Sequence, residues 1–320
     1  MVVDSCTASG EKSSIALNYL SSLGISYDAV KLILITHFHD DHIRGMADLI
    51  DSCPNATICV SDALVQSEAI AYVQAHAQSN AFADVGKPSA HEVKKVYEVL
   101  ASGRRSVIWA SAAKLIYRND AVNIFALSPS DAAISQARLD FARAFEETST
   151  GFQRLAKRLT PNLCAVALHI CNGQDTVLLG SDLESSGSLG IGWEAVLQCS
   201  TRPRTMAKLY KVAHHGSVTG HHDQLAAALL HDPISIITTM NTHHLPTPED
   251  IARIKTFSAS VYHTTQPLVR PVKRSRDVEE IMAAAVKSRR VLPNQMGHIQ
   301  VRMLQGNISL NLNEFASRAA

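Results

Sequence analysis

The sequence predicts an α/β fold of layered sheets and helices. Short β-branched runs such as Leu32-Ile33-Leu34-Ile35 alternate with stretches of helical periodicity, and clusters of polar residues recur where the runs end. Composition agrees. Of 320 residues, 46% are hydrophobic and 18% charged, which permits a sizeable core and argues against disorder. That length admits one large domain or two ordinary ones. The net charge of +1 leaves no overall footprint for a polyanion, so nucleic-acid contact has to be local. Six scattered cysteines without a Cys-x-x-Cys pair, and no basic-then-apolar leader, predict free thiols and a cytoplasmic protein. No apolar run reaches the length of a membrane span, so no membrane partner is expected.

Taken in order, Met1 to Cys6 reads as the end of a strand that delivers Asp4 into a loop. Ser13 to Leu23 is an amphipathic helix closed by Gly24. The apolar run Leu32 to Ile35 is a buried strand, and Ile43 to Ile50 has helical spacing. A strand at Thr57 to Val60, a helix from Asp62 to Ala77, a polar loop from Gln78 to Gly86 and a helix from His91 to Leu100 follow. Ser106 to Leu127 holds two or three strands, and Pro129 to Leu159 is helical. That helical stretch carries Arg138, Arg143, Arg154, Lys157 and Arg158, a solvated face or a surface for phosphates. Leu163 to Ile170 and Asp175 to Leu179 form a hairpin through Asn172-Gly173. Lys208 to Ala213 is a strand, and His221 and His222 stand before a helix carrying Leu225 to Leu230. Ile234 to Thr239 and Val261 to Thr264 are strands, separated by a helix that Thr247 or Pro248 opens and Lys255 ends. Arg270 to Arg290 is basic, and His298 to Leu312 alternates as two strands around Gly306-Asn307.

The chemistry concentrates at strand ends. Thr36-His37-Phe38-His39-Asp40-Asp41-His42 follows the central apolar run directly. In extended backbone His37 and His39 point to one side, while Asp41 and His42 come past the turn from another direction. Imidazoles and carboxylates crowded this closely need a common partner, and a divalent metal supplies one. Gly180-Ser181-Asp182 ends another strand and offers a bridging carboxylate or a turn cap. His214-His215 ends a third, with residue spacing leaving open which neighbour turns inward. His243-His244 ends a fourth. A closed structural zinc takes about four ligands. Here His37, His39, Asp41, His42, Asp182 and one of His214 or His215 exceed that, which points to two ions with open positions and hence to catalysis.

These motifs resemble the metallo-β-lactamase superfamily, whose His-x-His-x-Asp-His pattern stands at His37 to His42. The resemblance covers roughly residues 1–265, leaving 266–320 as a basic carboxyl-terminal extension packed on the same domain. It implies an αββα sandwich of two mixed β-sheets flanked by helices. Val3-Asp4-Ser5, Asn162, Leu178 to Asp182, Lys211 to Ser217, Asn241 and Pro246-Thr247-Pro248-Glu249 are most similar to the ComEC-type branch of competence and DNA uptake. By that resemblance His37, His39 and Asp182 hold one ion, and Asp41, His42, Asp182 and His215 hold the other, with His214 competing for the last place. Asp4 stands behind a ligand imidazole, and Asn162 lies where many relatives have a third histidine. Leu245 replaces the histidine usual in the terminal motif, so His243 or His244 takes over protonation of the leaving oxygen, or that task is absent. By the same resemblance, the one or two strands that normally come before the strand ending at Asp4 are missing, which implies a truncated or misassigned start and an edge to be covered.

The expected function is a binuclear metal-dependent hydrolase, a phosphodiesterase or nuclease acting on DNA or RNA through a metal-bound hydroxide positioned by Asp41. Zinc is the expected metal, with manganese the alternative. A small-molecule esterase or lactonase on the same site, and a non-catalytic metal-stabilised partner in a defence or DNA-handling complex, are the competing readings.

Overall fold

The computed structural model describes residues 1–8, 13–64, 89–148, 161–267, 277 and 297–319. The chain opens with β1 (Val2–Val3), α1 (Ile15–Ser22), β2 (Leu32–Ile35), α2 (Asp40–Ile43), α3 (Met46–Ser52), β3 (Thr57–Ser61), α4 (Ser89–Ala101) and β4 (Val107–Ala110). These strands pair in the order β1-β2-β3-β4, and every pairing is parallel. The chain then crosses to a second sheet with β5 (Lys114–Arg118) and β6 (Asn123–Ala126), followed by α5 (Asp131–Thr148). The hairpin of β7 (Leu168–Asn172) and β8 (Asp175–Leu179) leads to α6 (Trp193–Gln198), β9 (Ala207–Lys211), α7 (Leu225–Leu229), β10 (Leu230–Ile237), α8 (Pro248–Lys255) and β11 (Ser260–His263). Last come β12 (His298–Leu304), β13 (Asn307–Asn313) and β14 (Ser317–Arg318). The second sheet runs β14-β11-β10-β9-β8-β7-β6-β5 and mixes parallel with antiparallel pairs, while β12 and β13 form a separate ribbon. Sheets flanked by helices are therefore present as expected, but the smaller one is parallel throughout rather than mixed.

Burial explains the unbroken apolar run of β2. Leu32 and Leu34 face the second sheet, packing with Cys59, Ala110, Ile116, Ile124 and Leu168. Ile33 and Ile35 face the helices, packing with Leu17, Met46, Leu49 and Val96. A strand covered on both faces needs no polar alternation. On the far side of the large sheet, Leu178, Tyr210, Ile237 and Val261 pack against Trp193, Val196, Leu225, Leu229 and Ile254. Helix, sheet, sheet and helix thus form four layers around three apolar clusters.

Several elements differ from the sequence reading. The helix expected from Ile43 to Ile50 is two, α2 and α3, broken at Gly45. Gly45 has φ +73, and a Cβ there would lie 3.1 Å from Thr7 Cγ2 and 3.2 Å from Ser14 Cα. The crossing backbone therefore demands a glycine in that turn. The strand expected at Ile234 begins four residues earlier at Leu230, with an irregular register between the two. α6 was not foreseen: six residues are too few for a periodicity, yet Trp193 is fully buried and donates from Nε1 to Leu183 O at 2.9 Å.

The carboxyl-terminal residues return to the body. β14 pairs antiparallel with β11, Gln300 Nε2 donates to Tyr19 Oη at 2.7 Å, and Gly306 N donates to Asp175 Oδ1 at 2.8 Å. All six cysteines are free. Among the described residues no helix is long and apolar enough to cross a membrane. Arg138 is exposed on α5. Residues 65–77 of the expected helix, the loop Gln78 to Gly86, Arg154, Lys157, Arg158 and the basic run Arg270 to Arg290, Asp277 apart, lie outside the described residues.

Candidate metal centre

β1, β2, β8 and β9 all deliver residues from their carboxyl ends to one rim of the sandwich, the usual ligand-binding place in such sheets. Two groups of ligand atoms converge there. Asp41, His42, Asp182 and His215 form one, and His37, His39 and Asp182 the other, with the atoms of each group within 4.8 Å of one another. His215 Nε2 lies 3.1 Å from Asp41 Oδ2 and 3.5 Å from Asp182 Oδ2. His42 Nε2 lies 3.4 Å from both Asp41 Oδ2 and Asp182 Oδ1, and His37 Nε2 lies 3.7 Å from Asp182 Oδ2. His39 Nδ1 approaches His37 Nε2 to 3.1 Å.

The rear of each buried imidazole decides which nitrogen faces the centre. Asp4, held at φ +59 after β1, accepts from Thr36 N at 2.7 Å, from Thr36 Oγ1 at 2.8 Å and from His42 Nδ1 at 2.6 Å. A carboxylate only accepts, so His42 carries a proton on Nδ1 and Nε2 is the nitrogen that it turns inward. Thr36 Oγ1, having given its hydrogen to Asp4, accepts from His37 Nδ1 at 3.0 Å, with the same result for His37. His215 Nδ1 donates to Thr238 O at 2.9 Å. Three imidazoles thus turn Nε2 towards one buried volume.

That volume lacks a partner. His42 Nε2, His215 Nε2 and Asp182 Oδ1 are buried and have no hydrogen bond among the described residues. Buried polar atoms are nearly always satisfied, and ring nitrogens this close to carboxylates repel them unless a proton or a cation sits between. The electrostatics agree. Burial works against charge on Asp182 and Asp41, yet His215 and His42 beside them hold both carboxyls far below their usual range. Burial likewise works against charge on His42 and His215. The carboxylates of Asp4, Asp182 and Asp41 around His42, and of Asp182 and Asp41 around His215, override it and raise both rings. Burial dominates at His37 and His39 and lowers both, which favours the neutral ring a metal requires. The centre favours positive charge, and its nitrogen and oxygen donors fit a borderline divalent ion.

The remaining candidates lie around this set. His214 turns away from both groups: its Nδ1 reaches Glu184 Oε1 at 2.9 Å and Thr219 Oγ1 at 2.7 Å, and its Nε2 meets Asn162 Nδ2 at 3.3 Å. Asn162 is buried with its Oδ1 unpartnered. His243 is exposed and sits 3.2 Å from Thr242 Oγ1, and His244 has a left-handed backbone and a buried Nδ1 without a partner. Neither belongs to the converging groups. His221 stacks on Phe257 with ring centroids 5.9 Å apart. Thr36, Glu184 and Thr219 were missed as site residues; a Thr ahead of the histidine run was visible, but nothing in the sequence ties Glu184 or Thr219 to it.

Fold and site together define an αββα protein with a His/Asp metal-ligand cluster at its strand ends. The sequence profile of the metallo-beta-lactamase superfamily matches residues 1–231, and the chain belongs to that superfamily. Its members are typically hydrolases. No curated protein matches the chain. Among solved structures, a protein from Thermotoga maritima described as a metallo-beta-lactamase is similar at 16% identity, over 52% of this chain and 56% of that one, with a TM-score of 0.25. The chain thus spans little more than half the length of that structure.

Proposed function

We propose that this chain is a phosphodiesterase, a nuclease of the ComEC-type branch working with two zinc or manganese ions. The observation that carries this reading is Asp182, one buried carboxylate common to both ligand groups, as a ligand bridging two ions has to be. Two divalent ions supply activation of water near neutral pH and neutralisation of charge on the entering and leaving oxygens, which phosphodiester cleavage requires. The chain's own residues do the rest. Asp41, with 31% of its side chain exposed against 3% for Asp182, is open enough to orient an attacking water by accepting its hydrogen bond. The loop that carries His243 and His244 reaches the rim through Pro246, whose Cβ would be 3.2 Å from a Cβ on Gly216, next to His215. From that loop one of the two imidazoles gives a proton to the leaving oxygen.

The test is incubation of the purified chain with single- and double-stranded DNA and RNA plus Mn²⁺ or Zn²⁺. Cleavage by the wild type and its loss in His39→Ala are the expected results. No cleavage, or equal cleavage by the variant, overturns the nuclease. Turnover of a lactone but not of a nitrophenyl phosphodiester would assign the site to acyl substrates. Bound metal without any turnover, together with a co-purifying protein, would assign it to a non-catalytic module.

A further inference from the structure

Glu184 lies two residues beyond Asp182 and belongs to neither ligand group. Two donors nevertheless converge on its Oε1, Thr219 Oγ1 at 3.0 Å and Asn162 Nδ2 at 3.3 Å, and His214 Nδ1 lies 2.9 Å from the same oxygen. The carboxylate accepts only, so Thr219 gives it the hydroxyl hydrogen and accepts from His214 Nδ1 at 2.7 Å, while Asn162 turns its nitrogen towards the cluster. The second hydrogen of Asn162 Nδ2 then goes to His214 Nε2. The His214 ring is held on both edges.

What the ring anchors is an unusual piece of backbone. His214 has φ 45, ψ 52 and His215 has φ 53, ψ 21, two consecutive left-handed residues without a glycine between them. L side chains rarely adopt this conformation, and it persists only where surroundings over-determine it. Those surroundings are present. His214 N donates to Ser181 O at 2.9 Å, and Ser185 N and Oγ bind the carbonyls of Thr219 and His221 at 2.8 and 2.7 Å. A Cβ on Gly220 would come within 2.9 Å of His214 Cβ, so the turn is packed directly against that glycine.

We propose that Glu184 is a positioning residue: by fixing Thr219 and Asn162 against the two edges of the His214 ring it holds the left-handed His214-His215 turn, and so aims His215 Nε2 at Asp41 and Asp182. This rests on the two-ion reading above. It explains why two adjacent histidines are both present although one alone reaches the ligand groups.

The test is titration of the full-length chain with Zn²⁺ or Mn²⁺ against a chromogenic chelator, read for each ion, alongside thermal unfolding of the metal-free protein. Glu184→Gln keeps the shape but places an amide nitrogen or a weaker acceptor before the two donors. It is expected to weaken one of the two ions about tenfold, leaving the other ion and the metal-free unfolding temperature unchanged. In a His215→Ala background it is expected to add nothing, because the effect travels through His215. Wild-type affinity in Glu184→Gln, or an equal loss with and without His215, overturns the proposal. If Glu184→Gln does not fold, Thr219→Val removes one donor and is read in the same way, with about threefold weakening expected and no change contradicting the grip. A wild type that binds no metal fails the two-ion reading instead, so the two failures are told apart.

Discussion

The two ligand groups share Asp182 but are built differently. In the group of Asp41, His42, Asp182 and His215, each imidazole is braced from behind, His42 by Asp4 and His215 by Thr238 O. In the group of His37, His39 and Asp182, His37 leans on Thr36, while His39 has its Nδ1 against His37 itself. Bracing fixes tautomer and direction before any ion arrives, whereas an unbraced ring must be ordered by the ion. On the two-ion reading proposed above, the first group is expected to be the tighter site and the second the looser one.

Substitutions can break or sharpen that contrast. The largest effect belongs to Asp182→Ala, which takes a ligand from both groups; elemental analysis after dialysis is expected to fall from two ions per chain to almost none. Next come His215→Ala and His39→Ala. Each is expected to weaken one ion, still measurable by chelator titration, and leave the other, and a weakening of both in His39→Ala would show that the looser group supports the tighter one. Asp4→Ala strips the brace from His42 and Thr36, and chelator competition is expected to show the tighter ion weakened by about 10–100-fold. Leu34→Ala should touch the centre least. Its core site between the sheets predicts a loss of about 2–5 kcal/mol in urea unfolding, with metal content unchanged.

The same contrast shows which features a sequence exposes. The run Thr36 to His42 is legible because all of its ligands leave one strand end, where a buried apolar stretch meets a polar cluster. The choice between His214 and His215 is not, because it depends on a turn left-handed at both residues, and neither residue type announces that backbone. Asp4 serves Thr36 and His42 across 32 and 38 residues, and Glu184 meets Thr219 across 35; such contacts leave no periodic trace. The break between α2 and α3 has a visible signal in Gly45, a glycine inside a helical pattern, whose left-handed turn apolar periodicity alone does not register. Layering was the easier part, since the double-faced burial of β2 is written directly in its four apolar residues.

The claim under all of this is that one carboxylate joins two ions at the rim of the sandwich. Anomalous scattering from metal-replete crystals of the full chain measures it most directly. Two peaks are predicted, one among Asp41, His42 and His215 and one beside His37 and His39, with Asp182 between them. A single peak, or none, with Asp182 turned away from both sets of histidines would contradict the account.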